Sequence, residues 1–148
     1  MQLALREAGR AFEAGEVPVG AVVVRNGQVI GRGHNQTERL QDPTAHAEMI
    51  AISAAVNTIG SWRLDECSLY VTLEPCAMCA GAIVLARISQ LIFGAEDPKA
   101  GACGTLRNIV QDHRLNHQAH VESGILGDES ARLLKSFFEG IRSAKGSQ

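Results

Sequence analysis

At 148 residues the chain can bury a continuous core without disulfide or metal staples, and 45% hydrophobic against 20% charged residues exclude a disordered segment. No apolar run approaches the roughly 20 residues that cross a bilayer, so a helical membrane span is excluded. The net charge of −2 supplies no general attraction for nucleic acid, and any such binding must rest on a local basic face.

In chain order, Leu3, Leu5, Ala8, Ala11 and Phe12 recur at helical spacing up to Gly15 and Pro18, which predicts an amphipathic helix. Arg6, Glu7, Arg10 and Glu13 interrupt its apolar residues, so the segment does not read as a secretory signal and a cytoplasmic location is expected. Two β-branched runs then flank Asn26-Gly27, a pair suited to the positive φ of a two-residue hairpin turn. Asp42 is the expected cap and Pro43 the expected first residue of an alanine-rich helix ending at Gly60. A buried strand is predicted at Leu69 to Leu73. A second helix opens at Pro75, and its near-uniform apolarity predicts cover on several sides, as core rather than subunit contact. The run from Ile88 to Ala95 is again a strand, parallel to the one before because a helix lies between them.

From Gly94 to His120 the patterning fades, which in a small domain marks functional chain. Within it a weak helix at Leu106 to Val110 and a short strand at His120 and Val121 are expected. An amphipathic helix capped by Asp128 closes the chain. The sum is one α/β domain over residues 1–148, with a mixed sheet covered by helices.

Four cysteines in a chain able to build its own core point to metal or catalysis before disulfides. Cys76 and Cys79 are three apart, on one face of a first helical turn, where the helix dipole favours thiolates. No second Cys-x-x-Cys is present to close a structural site, since Cys67 and Cys103 stand alone. His46, also at a helix start, is the expected third ligand, and three protein ligands leave one tetrahedral position for water. Glu48 lies two residues from His46, and i, i+2 side chains do not share a helix face. It is therefore assigned a different task, carrying the proton beside the metal. Singly, each residue has an ordinary reading. His46 could be a capping or surface histidine, Glu48 a first-turn anion, and the cysteines buried small residues or a redox pair. Their joint occurrence favours a metal centre.

His46-Ala47-Glu48 followed by Pro75-Cys76-Ala77-Met78-Cys79 resembles the signature of zinc-dependent nucleobase deaminases. The stretches GEVPVGAVVV, GHN, DPTAHAE, LYVTLEPCAMCAGA, FGAEDPKAGACG and ESGILGDES extend the likeness. Together they resemble the bacterial tRNA-specific adenosine deaminases of the cytidine/deoxycytidylate deaminase superfamily. The resemblance implies a three-layer cytidine deaminase-like fold with a mixed five-stranded sheet flanked by helices, and a homodimer. It implies hydrolysis of the wobble adenosine of a tRNA anticodon to inosine. His46, Cys76 and Cys79 would hold one zinc ion per subunit, and Glu48 would shuttle the proton. Asn35, Asp97 and Lys99 match substrate-facing positions. Glu139 and Gly140 depart from the family, standing where basic residues are expected for RNA contact. Arg107, His113, Arg114, His117, Arg132, Lys135 and Arg142 remain as a candidate basic rim. A small-molecule deaminase acting on guanine or cytosine would share every metal residue and is the main rival.

Overall fold

A computed structural model describes residues 1–146; the last two residues of the expected domain lie outside the described ones. In chain order the elements are α1 (Gln2–Glu13), β1 (Gly20–Arg25), β2 (Gln28–His34), α2 (Thr37–Leu40), α3 (Ala47–Ile59), β3 (Cys67–Leu73), α4 (Ala77–Ala86), β4 (Gln90–Ala95), β5 (His120–Glu122) and α5 (Gly127–Gly146). The strands form one sheet in the order β2-β1-β3-β4-β5. β1 pairs antiparallel with β2 and β3, whereas β3, β4 and β5 run parallel, so the sheet is mixed as expected.

The β1–β2 turn is the predicted one. Asn26 and Gly27 take φ of 51° and 75°, and Arg25 faces Gln28 across a two-residue loop. Adjacent positions on these strands point to opposite faces, and glycine marks both. A Cβ on Gly20 would meet the Ala4 carbonyl oxygen of α1 at 2.0 Å, while one on Gly33 would meet the Ala47 carbonyl oxygen of α3 at 2.4 Å. Hence α1 lies against one face and α3 against the other. Glu7, buried on α1, reaches His34 Nδ1 at 3.2 Å and ties the helix to the end of β2. α5 packs with α1, and α4 with α3, completing three layers. The larger core lies on the α3–α4 side, where Ala51, Ala55, Leu69, Val71, Ile83 and Leu91 are fully buried.

Several boundaries differ from the sequence expectations. Asp42 and Pro43 do not open α3. They form a separate turn in which Asp42 Oδ1 accepts the Thr44 amide at 2.8 Å, and the helix starts only at Ala47. α4 likewise starts at Ala77, two residues after Pro75. Asp128 lies inside the first turn of α5, not before it. No helix forms over residues 106–110: Cys103 bridges Asn108 and the chain turns between them. α2 was not expected from the sequence. Its amides at Glu38 and Arg39 donate to the two carboxylate oxygens of buried Glu16, at 3.0 and 2.8 Å.

Candidate metal centre and its pocket

The carboxyl ends of β3 and β4 open onto one edge of the sheet, together with the start of β1 and the end of β2. Chain leaving these ends in an open α/β sheet surrounds a crevice suited to ligands. Here the crevice is a cavity of about 140 Å³ walled by Val17, Val19, Asn35, Leu73, Asp97 and Ala100, among others. At its floor stand His46, Glu48 and Cys76.

His46 and Cys76 occupy equivalent places, as the residue immediately before a helix. Both are extended, with ψ of 152° and 178°, which turns each side chain out of its helix towards the shared edge. Cys79, one turn into α4, adds the second sulfur. His46 Nδ1 lies 3.6 Å from each of the two Sγ atoms. Among the described residues these three form the group able to hold a metal ion, with donor atoms within 4.8 Å of one another. A tetrahedral zinc with sulfur at about 2.3 Å and nitrogen at about 2.0 Å requires an N···S edge of roughly 3.5 Å. The residues fit that requirement. One imidazole N–H cannot point well at two acceptors at once, whereas a cation among the three donors faces all of them.

The electrostatics agree. Hydrogen bonding from Cys79 and His46 pulls the Cys76 thiol down to about 3. The Cys76 sulfur and burial push the Cys79 thiol far up. Two thiolates this close repel one another, and a cation between them removes the penalty. Glu48, 4% exposed, is raised to about 7, chiefly by burial, against the opposing pull of its own amide and of His46. A carboxyl titrating near neutrality beside the His46, Cys76 and Cys79 group has the protonation range a proton carrier needs.

Of the other expected residues, Asn35 and Asp97 line the cavity. One Asp97 carboxylate oxygen accepts the amides of Lys99 and Ala100, at 3.0 and 3.2 Å, and so shapes its own turn. Lys99 instead lines an adjoining groove with Pro98, Leu134 and Phe138. Of the basic residues, Arg107, His113 and Arg114 line a crevice sharing no residue with the His46–Cys76 cavity, Arg114 is paired with Asp112 at 2.8 Å, and Arg132 with Glu129 at 3.5 Å. Glu74 was missed by sequence reasoning although it also lines the cavity. Its only signal was an acidic residue between a buried strand and Pro75-Cys76. Hydrogen bonds from Thr105, Asp97 and Cys103 outweigh its burial and hold its pKa below the usual carboxylate range.

A family profile of MafB19-like deaminases matches residues 1–142. The tRNA-specific adenosine deaminase of Bacillus subtilis (strain 168) is 52% identical over 145 residues, 98% of this chain and 90% of that protein. A structure solved in work on A-to-I editing by tRNA:A34 deaminases at the wobble position of transfer RNA superposes with a TM-score of 0.87 at 48% identity, covering 90% of this chain and 96% of that one. Guanine deaminase from Bacillus subtilis is more distant, with a TM-score of 0.63 at 40% identity over 70% of this chain and 67% of that one. With its sheet, its donor triad and its sequence all in agreement, the chain belongs to the MafB19-like deaminases, among the tRNA-specific adenosine deaminases.

Proposed function

We propose that the chain hydrolyses the wobble adenosine of a tRNA anticodon to inosine, as a single zinc-dependent deaminase domain. The observation that carries this reading is the convergence of the His46 imidazole and the Cys76 and Cys79 sulfurs beside a cavity that the buried Glu48 carboxylate also lines. The substrate assignment is supported by the 52% identity to a tRNA-specific adenosine deaminase and the 0.87 superposition on a tRNA:A34 deaminase. The likeness to guanine deaminase is weaker in both identity and superposition, and the small-molecule reading is not favoured.

His46, Cys76 and Cys79 would hold zinc, one ion per subunit. When bound, zinc supplies Lewis-acid activation of the attacking water. Glu48 takes a proton from that water and delivers it to the ring nitrogen next to the amino-bearing carbon. As that proton is delivered the water oxygen bonds to the amino-bearing carbon; the same carboxyl then carries the remaining hydroxyl proton to the amino group, the C–N bond breaks, ammonia leaves, and the oxygen stays on the ring as the carbonyl. A group titrating near 7 suits both transfers. Asn35, on the cavity wall, binds the nucleoside, with Asp97 and Lys99 on the loop beside it. The cavity is small, and a stacked or paired base cannot enter it. An anticodon loop, whose bases splay out readily, meets that need.

A tRNA substrate implies the cytoplasm, and no helix among the described residues is long and apolar enough to cross a membrane. The homodimer is supported by α4. Leu85 is 71% exposed on a helix without a charged residue, an apolar face suited to a second copy.

The test is mass spectrometry of an anticodon stem-loop beginning its anticodon with A, beside free adenosine, guanine and cytosine. Conversion of the stem-loop alone is expected. Equal turnover of free guanine would overturn the substrate assignment.

A further inference from the structure

We propose that Glu74 is a positioning residue for this reaction: its carboxylate fixes the 97–105 loop, and with it the Asp97–Ala100 wall of the cavity, against the strand end that presents Cys76. The inference rests on the adenosine deaminase reading above.

Glu74 follows β3 directly and is 2% exposed. Its two oxygens serve four donors on the loop. Oε1 accepts the Asp97 amide at 3.0 Å and the Thr105 hydroxyl; Oε2 accepts the Cys103 amide at 3.0 Å and the Thr105 amide at 3.1 Å. The loop is thus pinned at both ends by one side chain, in a stretch with no helix or strand of its own to occupy those amides. The backbone tightens the same joint. The Glu74 amide donates to Ala95 and the Ala102 amide to the Pro75 carbonyl, both at 2.9 Å.

Two features are specific to a carboxylate held close. First, all four partners are donors, and only an ionised carboxylate offers acceptors on both of its branches. A glutamine would turn one branch into a donor facing donors. Second, Gly101 leaves the room. A Cβ at that position would stand 2.5 Å from the Glu74 carboxyl carbon and 2.6 Å from the Asp97 carbonyl oxygen. Gly101 has no positive φ, so space alone calls for glycine here.

The clamp is more than loop support because of where it lies. Glu74 lines the cavity between the Cys76 side and the Asp97–Ala100 wall. In a space of about 140 Å³, moving one wall changes how the base is held before chemistry begins. Contacts of this kind act on bound substrate and transition state alike, so their loss is read in KM more than in kcat.

The experiment compares Glu74→Gln, Gly101→Ala and Thr105→Val with the wild-type chain. It measures bound metal, kcat and KM on the anticodon stem-loop, and hydrogen exchange at the Asp97, Cys103 and Thr105 amides. Glu74→Gln and Gly101→Ala are expected to keep their metal, to hold kcat within about threefold and to raise KM roughly tenfold, with those amides exchanging faster. Thr105→Val, which removes a single donor, should move KM the same way by less. If Glu74→Gln does not fold, the other two variants carry the test. Unchanged KM in folded variants overturns the inference, as does loss of the metal, which would make Glu74 a support for Cys76 instead. Failure of the wild-type chain to convert the stem-loop sinks the underlying functional reading itself, and is told apart by the control.

Discussion

His46 and Glu48 are two positions apart, and on one continuous helix their side chains would point about 200° apart. They meet because only Glu48 is helical. His46 precedes α3 with an extended backbone, and its ring swings round the helix end while Glu48 enters from the first turn. Cys76 repeats the device at α4, so a pair of helix starts delivers the centre. The division of labour can be measured. Glu48→Ala should retain bound metal but lose at least roughly a hundredfold in kcat, the smaller end of general acid–base contributions. Cys76→Ala should lose both metal and turnover. Elemental analysis beside a deamination assay checks the two together, and near-normal turnover by Glu48→Ala would end its role as proton carrier.

At the scale of elements, the site depends on how closely α3 approaches the sheet. The Ala47 carbonyl sits over Gly33, and the alanines Ala51 and Ala55 continue that thin contact along the helix. Ala47 adjoins His46, so any retreat of α3 moves the imbalance straight into the donor set. Gly33→Ala should therefore lower stability by about 1–3 kcal/mol through overpacking and also weaken metal binding. Urea unfolding and metal titration would read both, and a variant with unaltered values would show that the helix yields freely. The 106–110 segment teaches the opposite lesson. Its apolar spacing resembled a weak helix, yet Leu106 is 52% exposed while Val110 is fully buried. Local spacing alone could not show that Cys103 and Asn108 pair across a turn.

For the whole molecule, α4 was expected to be covered on several sides. Ile83 is fully buried and Val84 nearly so, but Ala77 and Leu85 face outward, since in a three-layer domain one side of an outer helix has nothing above it. A second copy of the chain is the proposed cover. Each subunit of a two-fold dimer would contribute the same face, so Leu85→Glu acts twice and should weaken association at least roughly a hundredfold. Light scattering coupled to size exclusion should report a dimer for the wild type and a monomer for the variant. A monomeric wild type at high concentration would remove the proposed interface.

The sequence by itself determined the hairpin at Asn26-Gly27, the parallel strands on either side of α4, and the grouping of His46, Cys76 and Cys79 as side chains that could hold a metal ion. Turn chemistry, hydrophobic period and ligand type are properties of residues near one another in the chain, and they can be read there. Tertiary structure decided the rest. The true starts of α3 and α4 depend on side chains leaving the helix for a shared centre. The Glu74 clamp joins stretches 23 to 31 residues apart, through hydrogen bonds that leave no periodic trace. Burial, too, was settled only in three dimensions: the fold encloses Glu48 and raises its pKa, and it leaves Leu85 in the open.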